Sequence, residues 1–177
     1  MTTDHRPSAL PPALTVQAAT AALPGMELEA AVDYINDGIF EPLIGAIGVD
    51  HIQLCPQNAG QLDEAMCERL VACWPDTAFR PHANVRVLPR LRVFDASTPR
   101  EIAEPMFELV ADRCRRLRSP AYSIHAGYSA ECSLEAMIDT LWRVQDLFPC
   151  PVAVEGLYPR ADRPQLMSTW AHYERVL

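Results

Sequence analysis

The chain has 177 residues, of which 49% are hydrophobic and 21% are charged, a composition that suits one globular domain with a sizeable core. The formal net charge of −8 argues against a large duplex-binding surface, because displacing counterions from nucleic acid needs clustered positive charge. All 15 basic residues are arginine, so a mechanism that uses a lysine amine of this chain is excluded.

The six cysteines contain no C-x-x-C pair, so neither a zinc ribbon nor a dithiol redox motif is indicated. The N-terminus lacks a basic-then-apolar signal segment, and we expect reduced thiols and a cytoplasmic protein. No apolar run approaches the roughly 18 residues that would span a bilayer, so we expect no membrane partner.

Short apolar segments alternate five times with longer helical patterns. Residues 1–13 are rich in proline and predict a flexible tail, and residues 14–177 predict one domain. The predicted strands are Leu14–Ala19, Val49–Cys55, Ala78–Val85, Ala121–His125 and Pro151–Glu155. The predicted helices cover about Glu27–Ile44 and Leu62–Trp74, and others begin at Thr98, Ser133 and Asp162.

The start of the third helix carries a capping-box pattern. Thr98 is the predicted cap, Pro99 the first helical residue, and Glu101 lies three after the cap. The apolar stripe of this helix is predicted to include Ile102 and Met106.

Alternating strands and helices predict parallel strands with right-handed crossovers. The segment after the first strand, Ala19-Thr20-Ala21-Ala22, is not a glycine-rich phosphate loop, so a (β/α)8 barrel is favoured over an open doubly wound sheet. Eight units need about 250 residues, and five are present. We therefore expect an α/β fold that is an incomplete TIM barrel, with either more chain to follow or two copies meeting at their sheet edges.

Three consecutive predicted strands end in a side chain that can coordinate a metal: His82, His125 and Glu155. Strand side chains alternate between faces, and bulky apolar neighbours should face the outer helices. The three side chains are then expected to point into the mouth of the barrel, where this architecture builds its active sites. Two imidazoles and a carboxylate suit a divalent cation.

The loop after the third strand adds weaker candidates at the same end of the barrel. Asn84 and Arg86 are predicted to contact substrate, and Arg90 and Arg92 lie nearby. Arginines there are candidates for binding a phosphate or a sugar acid, although a solvated loop is the favoured explanation.

The strand-end motifs Arg80–Asn84 (RPHAN), Ser123–Gly127 (SIHAG) and Val152–Gly156 (VAVEG) resemble the third, fourth and fifth strands of xylose isomerase-like TIM barrels. That superfamily includes sugar isomerases and epimerases and also apurinic-site endonucleases. In the endonuclease branch, the resemblance implies that His82, His125 and Glu155 bind metal. In the sugar-epimerase branch it implies that Glu155 binds metal and transfers a proton, while His125 lines the substrate pocket. The remaining ligands of both branches come from the sixth to eighth strands, which this chain does not supply.

Three functions stay open at this point. The first is a sugar or polyol isomerase or epimerase that uses Mn, Zn or Mg and binds a small carbohydrate, and that is inactive if this incomplete form is the whole protein. The second is a metal-dependent apurinic endonuclease, which the acidic charge disfavours. The third is a non-catalytic half-barrel module that forms a homodimer through its open sheet edges.

Overall fold

The computed structural model describes residues 17–37, 51–157, 162 and 164–176. The predicted tail, the first residues of the first strand and the second half of the first helix lie outside this range. The described strands are β1 (Gln17–Ala19), β2 (His51–Leu54), β3 (Ala78–Pro81), β4 (Tyr122–His125) and β5 (Val152–Glu155). The described helices are α1 (Leu28–Asn36), α2 (Glu64–Cys73), α3 (Arg100–Leu117), α4 (Leu134–Leu147) and α5 (Trp170–Tyr173).

All strand pairs are parallel and follow the order of the chain. The strands β1, β2 and β3 form one ladder, and β4 and β5 form a second. The two ladders lie side by side at β3 and β4, and Gln53 on β2 reaches Ser123 on β4 with a hydrogen bond of 3.4 Å. An open doubly wound sheet would reverse its strand order. The described part of the chain is therefore an incomplete TIM barrel, as predicted.

The alternation of side chains along the strands is also as predicted. The residues that face the helices are almost fully buried and apolar: Ile52, Leu54, Phe79, Tyr122 and Ile124. The residues between them are polar on the three central strands, with Gln53, Arg80 and Ser123 on the inner face. This parity places His82, His125 and Glu155 on the inner face as well.

The helices α2 and α3 are joined by arginines near the end of α3. Arg113 is only 7% exposed and donates from Nε to the Leu62 carbonyl at 3.1 Å. Arg116 binds Glu64 at 2.6 Å across the two helices. These contacts seat α3 against α2 and so set the position of the β3-to-β4 crossover.

The start of α3 differs from the predicted capping box. The helix begins at Arg100, its N-cap is Pro99, and the cap makes no side-chain hydrogen bond. The Thr98 hydroxyl instead accepts from the backbone N–H of Asp95 at 2.9 Å. A tertiary turn before the helix therefore uses the hydroxyl that the local pattern assigned to the cap.

Two other helix predictions were wrong. Ile102 is 53% exposed and lies off the buried stripe of α3, whereas Met106 is 7% exposed and belongs to it. The helix predicted from Asp162 is reduced to Trp170–Tyr173, because Gln165 forms an antiparallel bridge with Tyr128 instead. The spacing of apolar residues in a sequence cannot indicate backbone pairing between residues that are far apart in the chain.

None of the helices in the described residues combines the length and apolarity that crossing a bilayer requires.

Met106 and Ile102, one turn apart on α3, give a matched test of this burial pattern. Met106→Ala should lower the free energy of unfolding by about 2–5 kcal/mol, because it leaves a cavity in the core. Ile102→Ala should change it by less than about 0.5 kcal/mol. Urea unfolding of both variants measures the difference, and equal losses would contradict the assigned helix face.

Candidate functional site

The ends of β3, β4 and β5 bring three side chains together. One ligand atom from each of His82, His125 and Glu155 lies within 4.8 Å of the other two. The pairing of His125 with Glu155 in the parallel ladder and the adjacent position of β3 explain this convergence, since neighbouring strands lie about 4.8 Å apart. The predicted meeting of these side chains is confirmed, whereas metal binding stays a prediction.

His82 lies between two hydrogen-bond acceptors. Its Nδ1 is 3.0 Å from the carbonyl oxygen of Ala83, and its Nε2 is 2.8 Å from a carboxylate oxygen of Glu155. The His82 side chain is 14% exposed and that of Glu155 is 49% exposed, so the carboxylate opens towards the inner space of the barrel. The carbonyl and the carboxylate both only accept, so each ring nitrogen of His82 lies where an N–H donor is suited.

His125 is more enclosed. Burial lowers the pKa of its imidazole, and the neighbouring His82 lowers it further, while Glu155 and Asp95 oppose the shift. The rings of His82 and His125 meet edge to face, with centroids 5.2 Å apart. The net shift favours the neutral form of His125.

Asn84 contacts the other side of His125. It is 7% exposed and adopts a left-handed backbone conformation with φ of 63°, which ends the extended segment of β3 and which asparagine tolerates better than most residues. Its Nδ2 lies 3.5 Å from Nδ1 of His125, and its Oδ1 accepts from the Phe94 N–H at 2.8 Å.

A buried corner made by Asp95 and Ser97 supports the end of β4. One carboxylate oxygen of Asp95 accepts from the N–H of Ser97 at 2.9 Å and from its hydroxyl at 2.6 Å. The Ser97 hydroxyl accepts from the Tyr128 N–H at 3.1 Å. The Ala96 N–H donates to the His125 carbonyl at 3.0 Å. The loop before α3 thus fixes the backbone that carries His125.

A second set of inward-facing side chains lies two residues before His82 and His125, and next to them on β2. It contains Gln53, Arg80 and Ser123. The Nε atom of Arg80 is sealed from solvent and has no hydrogen-bond partner among the described residues. Burial raises the pKa of the Cys55 thiol, hydrogen bonds with Ala21 and Thr20 oppose that rise, and the charges of Glu155 and Arg80 have smaller, opposite effects.

The predicted arginines of the β3 loop lie apart from the three side chains. Arg86 donates from Nε to the carbonyl of Pro56 at 3.4 Å, at the end of β2. Arg90 and Arg92 are exposed. Of the predicted substrate-contacting residues, the structure therefore joins Asn84 and His125 directly and leaves Arg86 at the rim, where its role stays a prediction.

The Asp95–Ser97 corner was not predicted from the sequence. The signal that indicates it is the segment Asp95-Ala96-Ser97-Thr98, since an aspartate followed by Ser or Thr two or three residues later forms side-chain-to-backbone turns. That pattern does not reveal that the turn lies beneath His125.

We expect a pH effect from the buried His125. Its folded-state pKa is depressed, so below its ordinary value of about 6.5 the unfolded chain takes up a proton that the folded protein resists. Stability is therefore lost as pH falls. Urea unfolding at about pH 7 and pH 5 in chelator should show a smaller acid-dependent loss for His125→Gln than for the wild type; an equal loss would contradict the burial argument.

Gly127 packs closely against the Asp95–Ser97 corner, and this close approach gives a second prediction. A Cβ there would lie 2.2 Å from the Ser97 hydroxyl and 2.6 Å from Asp95, at a φ of +92°. Gly25 has a φ of +80° with nothing within 4 Å, so Gly25→Ala carries backbone strain alone, about 1–2 kcal/mol. Gly127→Ala should cost about 1–3 kcal/mol more because of the clash. Matching losses in denaturant unfolding would refute the close approach.

Comparison with known proteins supports the fold. No protein-family model matches the chain, and no curated protein matches it. The crystal structure of a D-tagatose 3-epimerase-like protein matches with a TM-score of 0.65 at 11% sequence identity, covering 93% of this chain and 60% of that one. This chain therefore spans 60% of the length of the structure that it matches. The resemblance to xylose isomerase-like TIM barrels is confirmed at the level of the fold.

Proposed function

We propose that this chain carries the metal- and substrate-binding part of a sugar or polyol isomerase or epimerase. The observation that carries the proposal is the convergence of His82, His125 and Glu155 within 4.8 Å at the carboxyl ends of three parallel strands. The similarity in fold to a D-tagatose 3-epimerase-like protein supports a carbohydrate as the substrate class.

The side chains present fit a divalent cation. Imidazole and carboxylate groups are ligands of Zn and Mn, whereas Mg prefers oxygen ligands alone. The Nε2 of His82 and the carboxylate of Glu155 face each other at 2.8 Å, and both are atoms that coordinate metal. We propose His82 and Glu155 as ligands, with His125 either as a third ligand or as a substrate contact. A bound cation would polarise the carbonyl or hydroxyl oxygen of the substrate.

Glu155 has the exposure that a proton-transfer group needs. Its side chain is 49% exposed and opens on the inner space of the barrel, so a substrate can reach it. We propose that its carboxylate takes the proton from the carbon beside the substrate carbonyl and, for isomerisation, returns it to the adjacent carbon of the enediol. For epimerisation, a second acid on the opposite face would supply the new proton. Arg86 would then contact substrate hydroxyls at the rim, and Asn84 would contact substrate beside His125.

A metal-dependent apurinic endonuclease is the alternative that the two histidines favour. Ligand atoms of His82 and His125 lie within 4.8 Å of each other, so both histidines could bind metal in such an enzyme. The net charge of −8 and the absence of lysine oppose it, because phosphate-backbone binding depends on positive charge.

A half-barrel that pairs with a second copy is the alternative that the sheet edges favour. Among the described residues, β1 pairs only with β2 and β5 pairs only with β4. Natural sheets seldom leave such edges open. In this alternative a homodimer covers the edges and no reaction is catalysed.

Removing the Glu155 carboxylate tests the main proposal. Wild-type protein should gain thermal stability with added MnCl₂ or ZnCl₂, because a ligand that binds the folded state stabilises it. Glu155→Gln should weaken metal affinity at least about tenfold and abolish metal-dependent interconversion of ketose epimers. Glu104→Gln is the control, since Glu104 lies on α3 and pairs with Arg100.

A wild-type protein that shows no metal-dependent shift, together with unchanged behaviour of Glu155→Gln, would refute the proposal. Cleavage of an oligonucleotide with one abasic site, abolished by chelator, would establish the endonuclease instead. A dimer by light scattering, with neither activity, would favour the half-barrel module.

A further inference from the structure

We propose that Asn84 is a positioning residue that determines which ring nitrogen of His125 carries the proton, so that His125 offers an Nε2–H donor to a ligand oxygen. The position of the proton is argued from this chain alone. The identity of the ligand, a hydroxyl or carbonyl oxygen of a polyol, rests on the proposed function.

The carboxamide of Asn84 is held in one orientation. Its Oδ1 accepts from the backbone N–H of Phe94 at 2.8 Å, and the side chain is buried. Turning the amide over would place its NH₂ group against that N–H, leaving two buried donors face to face. The Nδ2 group of Asn84 must therefore point towards His125.

This orientation selects the protonation pattern of the ring. Nδ2 of Asn84 lies 3.5 Å from Nδ1 of His125, and an amide nitrogen only donates. Nδ1 must then offer its lone pair, and a neutral imidazole with an acceptor at Nδ1 carries its proton on Nε2. The contact is long, so its energy is small, but the opposite tautomer would oppose two N–H groups at the same place.

His82 differs from His125 at Nδ1. The Nδ1 of His82 faces the Ala83 carbonyl at 3.0 Å and is therefore a donor, and its Nε2 faces a second acceptor, the Glu155 carboxylate, at 2.8 Å. A metal ligand needs a free lone pair, and a hydrogen-bond donor needs a proton. With its Nδ1–H held by the carbonyl, His82 has Nε2 as the nitrogen that a metal could take from the hydrogen bond with Glu155, whereas the Nε2–H of His125 suits an oxygen acceptor of the substrate.

The position of the proton on His125 bears on whether this residue is a third metal ligand or a substrate contact, the two roles proposed above. A histidine that coordinates through Nε2 usually donates its Nδ1–H to a carboxylate or carbonyl. Asn84 presents a donor at that place instead, so coordination through Nε2 is disfavoured. His125 is better suited to recognise a hydroxyl or carbonyl group, which agrees with a polyol substrate more than with a metal cluster.

The tautomers can be read directly by long-range ¹H–¹⁵N NMR of metal-free protein labelled at histidine, at about pH 8, where an imidazole of ordinary pKa is neutral. Wild-type protein should show a proton on Nε2 and none on Nδ1 for His125. Asn84→Asp keeps an acceptor for the Phe94 N–H and tolerates the left-handed backbone. Its second oxygen accepts, so His125 should switch to Nδ1–H while His82 stays unchanged.

A wild-type His125 protonated on Nδ1, or an Asn84→Asp spectrum with no switch, would overturn the proposal. Asn84→Gly serves if the aspartate variant does not fold, because it removes the donor without backbone strain at positive φ. Its His125 should become a mixture of tautomers. An unaltered, single Nε2–H tautomer in the glycine variant would also overturn the proposal.

Metal binding separates this proposal from the proposed function. If the tautomer keeps His125 away from metal, Asn84→Asp should bind Zn²⁺ about tenfold or more tightly than wild type. The double variant Asn84→Asp with His125→Ala should lose that gain, which controls for the added charge. A tautomer switch without zinc binding in any variant would uphold the role of Asn84 and refute the metal-dependent function.

Discussion

The site depends on one constraint, the burial of alternate strand residues against the outer helices. Ile52, Phe79 and Ile124 are each at most 1% exposed. Each is fixed on the outer face because exposing such a side chain costs about 1.5–3 kcal/mol. A shift of any strand by one residue would reverse its faces. The positions of His82 and His125 are therefore a consequence of core packing, and the chemistry of the barrel mouth follows from it.

The same strand-end motif gives two different histidines. His82 and His125 are each followed by alanine, yet one ring meets a carbonyl and the other meets an amide. The difference arises because the backbone turns at Asn84, where φ is positive, and this turn brings the carboxamide back over the neighbouring strand. A backbone turn in the loop after β3 thus makes the surroundings of the two histidines different.

The crossover between β3 and β4 connects the site to the core. Phe94 stacks edge to face on Phe107 of α3, with centroids 5.2 Å apart, and its N–H holds Asn84 in place. The next residue, Asp95, organises the corner under Gly127. The segment that positions Asn84 and the Asp95–Ser97 corner is therefore anchored to α3 by apolar packing.

The sequence alone determined the parallel α/β architecture, the inward parity of three strand ends and the convergence of His82, His125 and Glu155, because side-chain alternation is a local property of a strand. It misassigned Thr98 as a helix cap and the segment from Asp162 as a helix. In the structure Thr98 pairs with Asp95, and Gln165 pairs with Tyr128. The sequence also did not reveal that Asn84 contacts His125, 41 residues away. Those contacts depend on where the chain returns in space, and only the tertiary structure decided them.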